Sequence, residues 1–126
     1  MTLAPGLTGT AKIVVADEDT AAKMGSGDVP ALATPRLLAL AEAATVAALV
    51  GSLPEHETSV GTSVKLDHLR ATGIGGRVTA HAELVQVDER MLQFTVRAED
   101  GEGSLVGRGE LMRMVVDHEH FVSGLG

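Results

Sequence analysis

Residues Thr34 to Gly51 read Thr-Pro-Arg-Leu-Leu-Ala-Leu-Ala-Glu-Ala-Ala-Thr-Val-Ala-Ala-Leu-Val-Gly, and the fold is decided there. Alanine and leucine dominate this run, and both are strong helix formers. Thr34 before Pro35 predicts an N-cap and a first-turn proline, and Gly51 predicts the C-terminal stop. After Arg36 the only polar side chains are Glu42 and Thr45. A helix with almost no polar stripe is expected to be covered on both faces, as when a sheet wraps round it. At about 17 residues with an acid in its middle, it makes a poor membrane span. The lone carboxylate needs a partner or a task, because an unpaired buried charge is costly.

Working outward, Leu7 to Ala16 is strand-like, and Asp17-Glu18-Asp19-Thr20 starts a short helix with its acids at the favourable end of the dipole. That helix fades at Met24-Gly25-Ser26-Gly27-Asp28, a loop placed to act as a lid over the start of the long helix. Downstream, Ser52 to Glu57 is a polar connection. Four strand-like segments follow, Ser59–Leu69, Arg77–Val87, Met91–Ala98 and Ser104–Val116, separated by turns at 72–76, 88–90 and 99–103. The tail from Asp117 to Gly126 has no clear period. Short turns imply antiparallel neighbours, and alternation implies one covered sheet face. The expected architecture is α+β, a five-stranded antiparallel sheet wrapped around one long central helix in a single domain over 1–126. That is the outline of the hotdog fold, and its sheet edges invite pairing across a dimer.

Composition narrows the function. A chain of 126 residues can bury a sizeable core, and with no Trp or Tyr and two Phe that core must be aliphatic. The absence of cysteine removes disulfides, thiolate metal sites and a cysteine nucleophile, and it suits a reducing cytoplasm. Met-Thr-Leu-Ala-Pro-Gly at the N-terminus has no basic region followed by an apolar run, so no secretory signal is expected. A net charge of −7 with so few aromatics argues against a nucleic-acid surface.

Three residues carry candidate chemistry. Thr34 is either a plain N-cap or a hydroxyl placed beside helix-start N–H groups that can polarise a carbonyl. Glu42 follows eight residues later, on nearly the same helix face, as either a structural ion-pair partner or a catalytic carboxylate. His68 shares parity with Val60, Val64 and Leu66, which puts it on the covered strand face, looking at a helix whose only acid is Glu42. Imidazole beside a carboxylate and a hydroxyl is a general acid–base set. His118 and His120 lack identifiable companion ligands, so no metal site is expected. Gly73, Gly75 and Gly76 lie between two strands and read as a hairpin turn rather than a phosphate loop. Arg70, Arg77, Arg108 and Arg113 are singly ordinary surface charges that could meet phosphates.

The run Thr34…Glu42, then Gly61-Thr62 ahead of His68, then Gly107-x-Gly109-x-x-x-Arg113, resembles the fluoroacetyl-coenzyme A thioesterases, a family of hotdog-fold enzymes. The similarity extends from Leu7 to about Phe121. The resemblance implies a catalytic Thr34/Glu42/His68 set, with Gly61 and Arg113 in the substrate-binding region, acting at the interface of a homodimer or of a dimer of dimers. It implies no metal and no cofactor beyond the coenzyme A thioester that is the substrate. The family carries bulky aromatics in the lid segment, whereas Met24 to Leu32 here holds none. The expected substrate is therefore an ordinary acyl-CoA or an acyl group on a carrier protein. Other classes on this fold are a non-catalytic acyl-CoA-binding domain and a hydratase or dehydratase. The latter resembles a different helix-proximal Asp/His pattern, which is not found here.

Overall fold

The computed structural model describes residues 3–126; Met1 and Thr2, on which the reading of the N-terminus partly rests, lie outside them. Five strands, β1 (Thr8–Val14), β2 (Glu57–His68), β3 (Arg77–Asp88), β4 (Met91–Asp100) and β5 (Leu105–Asp117), form one antiparallel sheet in the order β1-β3-β4-β5-β2. Three helices accompany them: α1 (Ala21–Met24), α2 (Thr34–Ala48) and α3 (His118–Ser123). The short turns close hairpins β3–β4 and β4–β5 as their length predicts. The segment with Gly73, Gly75 and Gly76, expected to be a hairpin turn, instead joins strands that do not pair: β2 is held by β5, and β3 by β1 and β4. The connection through α2 carries the chain from one sheet edge, β1, to the other, β2. The tail without a period folds as α3, started by Asp117, whose carboxylate accepts the His120 amide at 2.9 Å.

The core lies between α2 and the sheet. Leu37, Leu40, Ala41, Ala44, Thr45 and Ala48 repeat at helical spacing and are buried against aliphatic side chains such as Val78, Leu84, Leu92 and Leu111, with Phe94 among them. Close approach needs small residues. A Cβ on Gly9 of β1 would run into the Ala44 carbonyl and the Ala48 amide, so glycine lets that strand lie against the helix backbone.

Two expectations are corrected here. The helix is covered on one face only: Ala39, Ala43 and Val46 are exposed on the other, and Val50 just beyond it is 78% exposed. One five-stranded sheet can curl round only one side of a helix, and the second apolar side remains open beside the edge strand β2. The parity of β2 is also interrupted. Its pairing with β5 shifts register between Gly61 and Ser63, leaving Thr62 as the extra residue. Val60 consequently lies on the opposite face from Val64, Leu66 and His68, while Ser59 and Gly61 share the helix-facing side with Arg113.

Candidate active site

Thr34 does not cap α2. The N-cap is Ala33, in extended conformation and with no side chain able to accept a hydrogen bond, and Thr34 is the first helical residue. Its hydroxyl is therefore free, and it meets His68 Nδ1 at 2.8 Å. Pro35 has no N–H, and the amides of Arg36 and Leu37 both donate to the Ala33 carbonyl at 3.0 Å. The helix start thus offers fewer unspent amides than its sequence suggests, with the Thr34 N–H first among them.

His68 is the last residue of β2 and is half-buried. Its Nε2 is buried with no hydrogen-bond partner among the described residues, so protons reach the ring through Nδ1 and the exposed Thr34 hydroxyl. Burial pushes the imidazole below its ordinary pKa, and the backbone of Arg70 opposes that pull without closing a hydrogen bond to Nε2. The ring is accordingly neutral at neutral pH, the form that can accept a proton. Beside the pair opens a cavity of about 370 Å³ lined by the lid segment Ser26–Val29, by Ala31 and Leu32, and by Leu69 to Ala71.

Glu42 belongs to a second cluster. Its Oε2 accepts from Arg113 Nη1 at 3.2 Å. Arg113 is only 6% exposed; its Nε donates to Ser59 Oγ at 2.8 Å and its Nη2 to the Ser59 carbonyl at 3.0 Å. Gly61 stands opposite Arg113 in the strand pair, and a Cβ there would collide with Glu42 Oε2. Glu42, Gly61 and Arg113 are thus brought together, as are Thr34 and His68. The two groups are apart, since eight helical residues span about 12 Å and seven strand residues about 20 Å. Arg113 does not line the cavity beside His68. Ser59, which fixes the guanidinium, carried no motif signal; the bulge at Thr62 hides that it shares the helix-facing side with Leu66 and His68.

A five-stranded antiparallel sheet curled round one helix, with a hydroxyl–imidazole pair at the helix start, places the chain in the hotdog class. More narrowly, the model of the fluoroacetyl-CoA-specific thioesterase family matches residues 15–119, and the chain belongs to that family. The fluoroacetyl-CoA thioesterase of Streptantibioticus cattleyicolor is 38% identical over 89 residues, 71% of this chain; the match spans 63% of that relative's length. A mutant of the fluoroacetyl-CoA enzyme in complex with acetyl-CoA has a TM-score of 0.89 at 30% identity, covering 96% of this chain and 95% of the other. A hypothetical Thermus thermophilus protein, a thioesterase superfamily member, has a TM-score of 0.89 at 24% identity over 97% and 90% of the two chains, which speaks to the fold alone.

Proposed function

We propose that this protein hydrolyses the thioester of a short acyl-CoA, releasing the acid and the free thiol. The observation that carries the reading is the 2.8 Å contact of Thr34 Oγ1 with His68 Nδ1 at the mouth of the 370 Å³ cavity. Neutral His68 takes a proton through Nδ1, from the Thr34 hydroxyl or from a water polarised by it, as the oxygen attacks the acyl carbon. The tetrahedral oxyanion is held by backbone N–H groups, and collapse expels the thiolate, which takes the proton back from the imidazolium. Attack by water leaves the acid directly; attack by Thr34 leaves an ester on Oγ1, which a water deprotonated by His68 then hydrolyses, freeing the acid and restoring the hydroxyl. Small aliphatic residues line the cavity (Ala21, Val29, Ala31 and Leu32) with no aromatic side chain, which favours an ordinary short acyl group over one selected by ring contacts. The acetyl-CoA complex of the fluoroacetyl-CoA enzyme supports coenzyme A as the carrier, and an acyl carrier protein is the variant of this reading.

The remaining catalytic group comes from a second copy. Held at Arg113 and Gly61, Glu42 cannot serve its own His68, and the open apolar face of α2 lies beside the unpaired edge of β2. Antiparallel pairing of β2 with its two-fold mate brings Gly61 of one strand opposite His68 of the other when the axis passes at Lys65, the bulge at Thr62 taking one residue out of the pairing. In that homodimer Glu42 and the Gly61 backbone of the partner subunit face Thr34 and His68, where the carboxylate orients the attacking oxygen or attacks the acyl carbon itself. Such an attack gives an anhydride that water then hydrolyses to the acid and the restored carboxylate. The lack of cysteine suits a reducing cytoplasm, and among the described residues no helix is long and apolar enough to cross a membrane.

The test is thiol release, followed with a chromogenic disulfide reagent, across acyl-CoA thioesters of graded length and polarity. Turnover of short acyl-CoAs that His68→Ala abolishes is the expected result. Acyl-CoA that raises Tm without releasing thiol would make the protein a binding domain instead.

A further inference from the structure

We infer that Ser59 is a positioning residue for Glu42, acting through Arg113; this rests on the thioesterase reading of the site. The Arg113 guanidinium is a planar fork whose five N–H donors keep fixed mutual angles. Two of those donors end on one residue: Nε on Ser59 Oγ at 2.8 Å and Nη2 on the Ser59 carbonyl at 3.0 Å. A plane held at two points has little freedom left. Nη1, the third donor, is thereby aimed at Glu42 Oε2, which it meets at 3.2 Å.

The surroundings suit positioning rather than substrate contact. Arg113 is 6% exposed and sits on the central side of β5, whereas the Glu42 side chain is 37% exposed and so presents its carboxylate outward from the pair. Ser59 is bonded across to Val115 and Gly61 to Arg113 itself, so the arginine reaches diagonally back along β2 to find Ser59. The bulge at Thr62 follows immediately, and Ser59 and Gly61 fall on the same face as Arg113. The edge strand thus supplies both the anchor of the guanidinium and the gap that receives the carboxylate. The Ser59 hydroxyl is the one part of this clamp that a substitution can remove while leaving the strand backbone in place.

The experiment compares Ser59→Ala, Ser59→Thr and wild type by steady-state kinetics, Tm and the ¹H–¹⁵N signal of the Arg113 Nε–H group. The assignment of that signal comes from Arg113→Lys. Positioning predicts that Ser59→Ala keeps the oligomeric state, melts a few degrees lower because the buried Nε–H loses its acceptor, lowers kcat about 10- to 100-fold as the carboxylate loses its place, and leaves KM within about twofold. The protected Nε–H signal weakens in Ser59→Ala, and Ser59→Thr, which keeps the hydroxyl, restores both signal and turnover. A rise in KM at unchanged kcat would overturn the inference, because Arg113 would then be touching substrate. So would a Ser59→Ala enzyme with wild-type kcat, or an Nε–H signal indifferent to the substitution. If the wild type releases no thiol from any acyl-CoA, the thioesterase reading falls separately, and the Nε–H signal alone still decides whether Ser59 holds the arginine.

Discussion

Gly61→Ala puts the geometry under direct strain. Gly61 has no left-handed backbone requirement, so alanine is conformationally admissible, and only the space over its Cα is contested. That space is filled by Glu42 Oε2, with Arg113 Nη1 3.6 Å from the added methyl. The carboxylate is the far end of a flexible side chain that is 37% exposed, so it can swing out to water. The ion pair it leaves is partly solvated and contributes little to folding, on the order of 1 kcal/mol or less. For a domain of this size that corresponds to a fall in Tm of roughly 3–5 °C. Turnover is affected far more, since displacing a positioned group by about 1 Å can cost on the order of 10²-fold. Gly109→Ala is the control on the neighbouring strand. Its Cβ would meet the Lys65 carbonyl and lie 2.9 Å from Leu66 Cα, both backbone, so nothing can swing aside. Overpacking of that kind costs about 1–3 kcal/mol or more, and Gly109→Ala is expected to lose stability well beyond Gly61→Ala. Thermal melts and thiol release measured on the two variants together separate the cases. A Gly61→Ala enzyme with full turnover, or one that melts as low as Gly109→Ala, would refute the reasoning.

Other outcomes follow from the same geometry. His68→Ala is expected to fold with near wild-type Tm and to lose on the order of 10²–10⁴ in kcat/KM, while Thr34→Ser, which keeps the hydroxyl 2.8 Å from Nδ1, retains far more activity than Thr34→Ala. Because burial lowers the His68 pKa, the base form persists to more acid pH, and the acid limb of kcat/KM falls below the ordinary imidazole value of about 6.5; a limb above that value would contradict the burial argument. Val46→Asp places a charge on the open face of α2 and is expected to shift the protein to monomer in sedimentation and to abolish turnover with it.

Much of this was legible in the residues. The long helix and the five strands follow from alanine and leucine content, period-two alternation and glycine-bearing turns. Turn length gives the β3–β4 and β4–β5 hairpins but not the place of β2, which pairs with β5 instead of β3. What escaped was set by tertiary context. Thr-Pro predicts a threonine N-cap, yet the chain begins the helix one residue earlier than that rule assumes, with Ala33 as cap, and this releases the Thr34 hydroxyl for His68. Simple parity places Val60 with His68, but a single extra residue at Thr62 reverses the face of everything before it. Residues 54 apart, such as Ser59 and Arg113, share no pattern that one sequence can display. The expectation of a helix covered on both sides fails because one sheet reaches only one side of it, leaving Ala39, Ala43 and Val46 exposed.

In the proposed dimer a hydroxyl–imidazole pair from one chain and a carboxylate from its mate make one thioesterase site. Mixing Glu42→Ala and His68→Ala subunits, each inactive alone, measures this directly through thiol release. Random exchange makes half the dimers mixed, each with one complete site of two, so activity is predicted to recover to about a quarter of wild type. If the exchanged mixture stays as inactive as its parents, the two half-sites do not meet across the interface and the account is wrong.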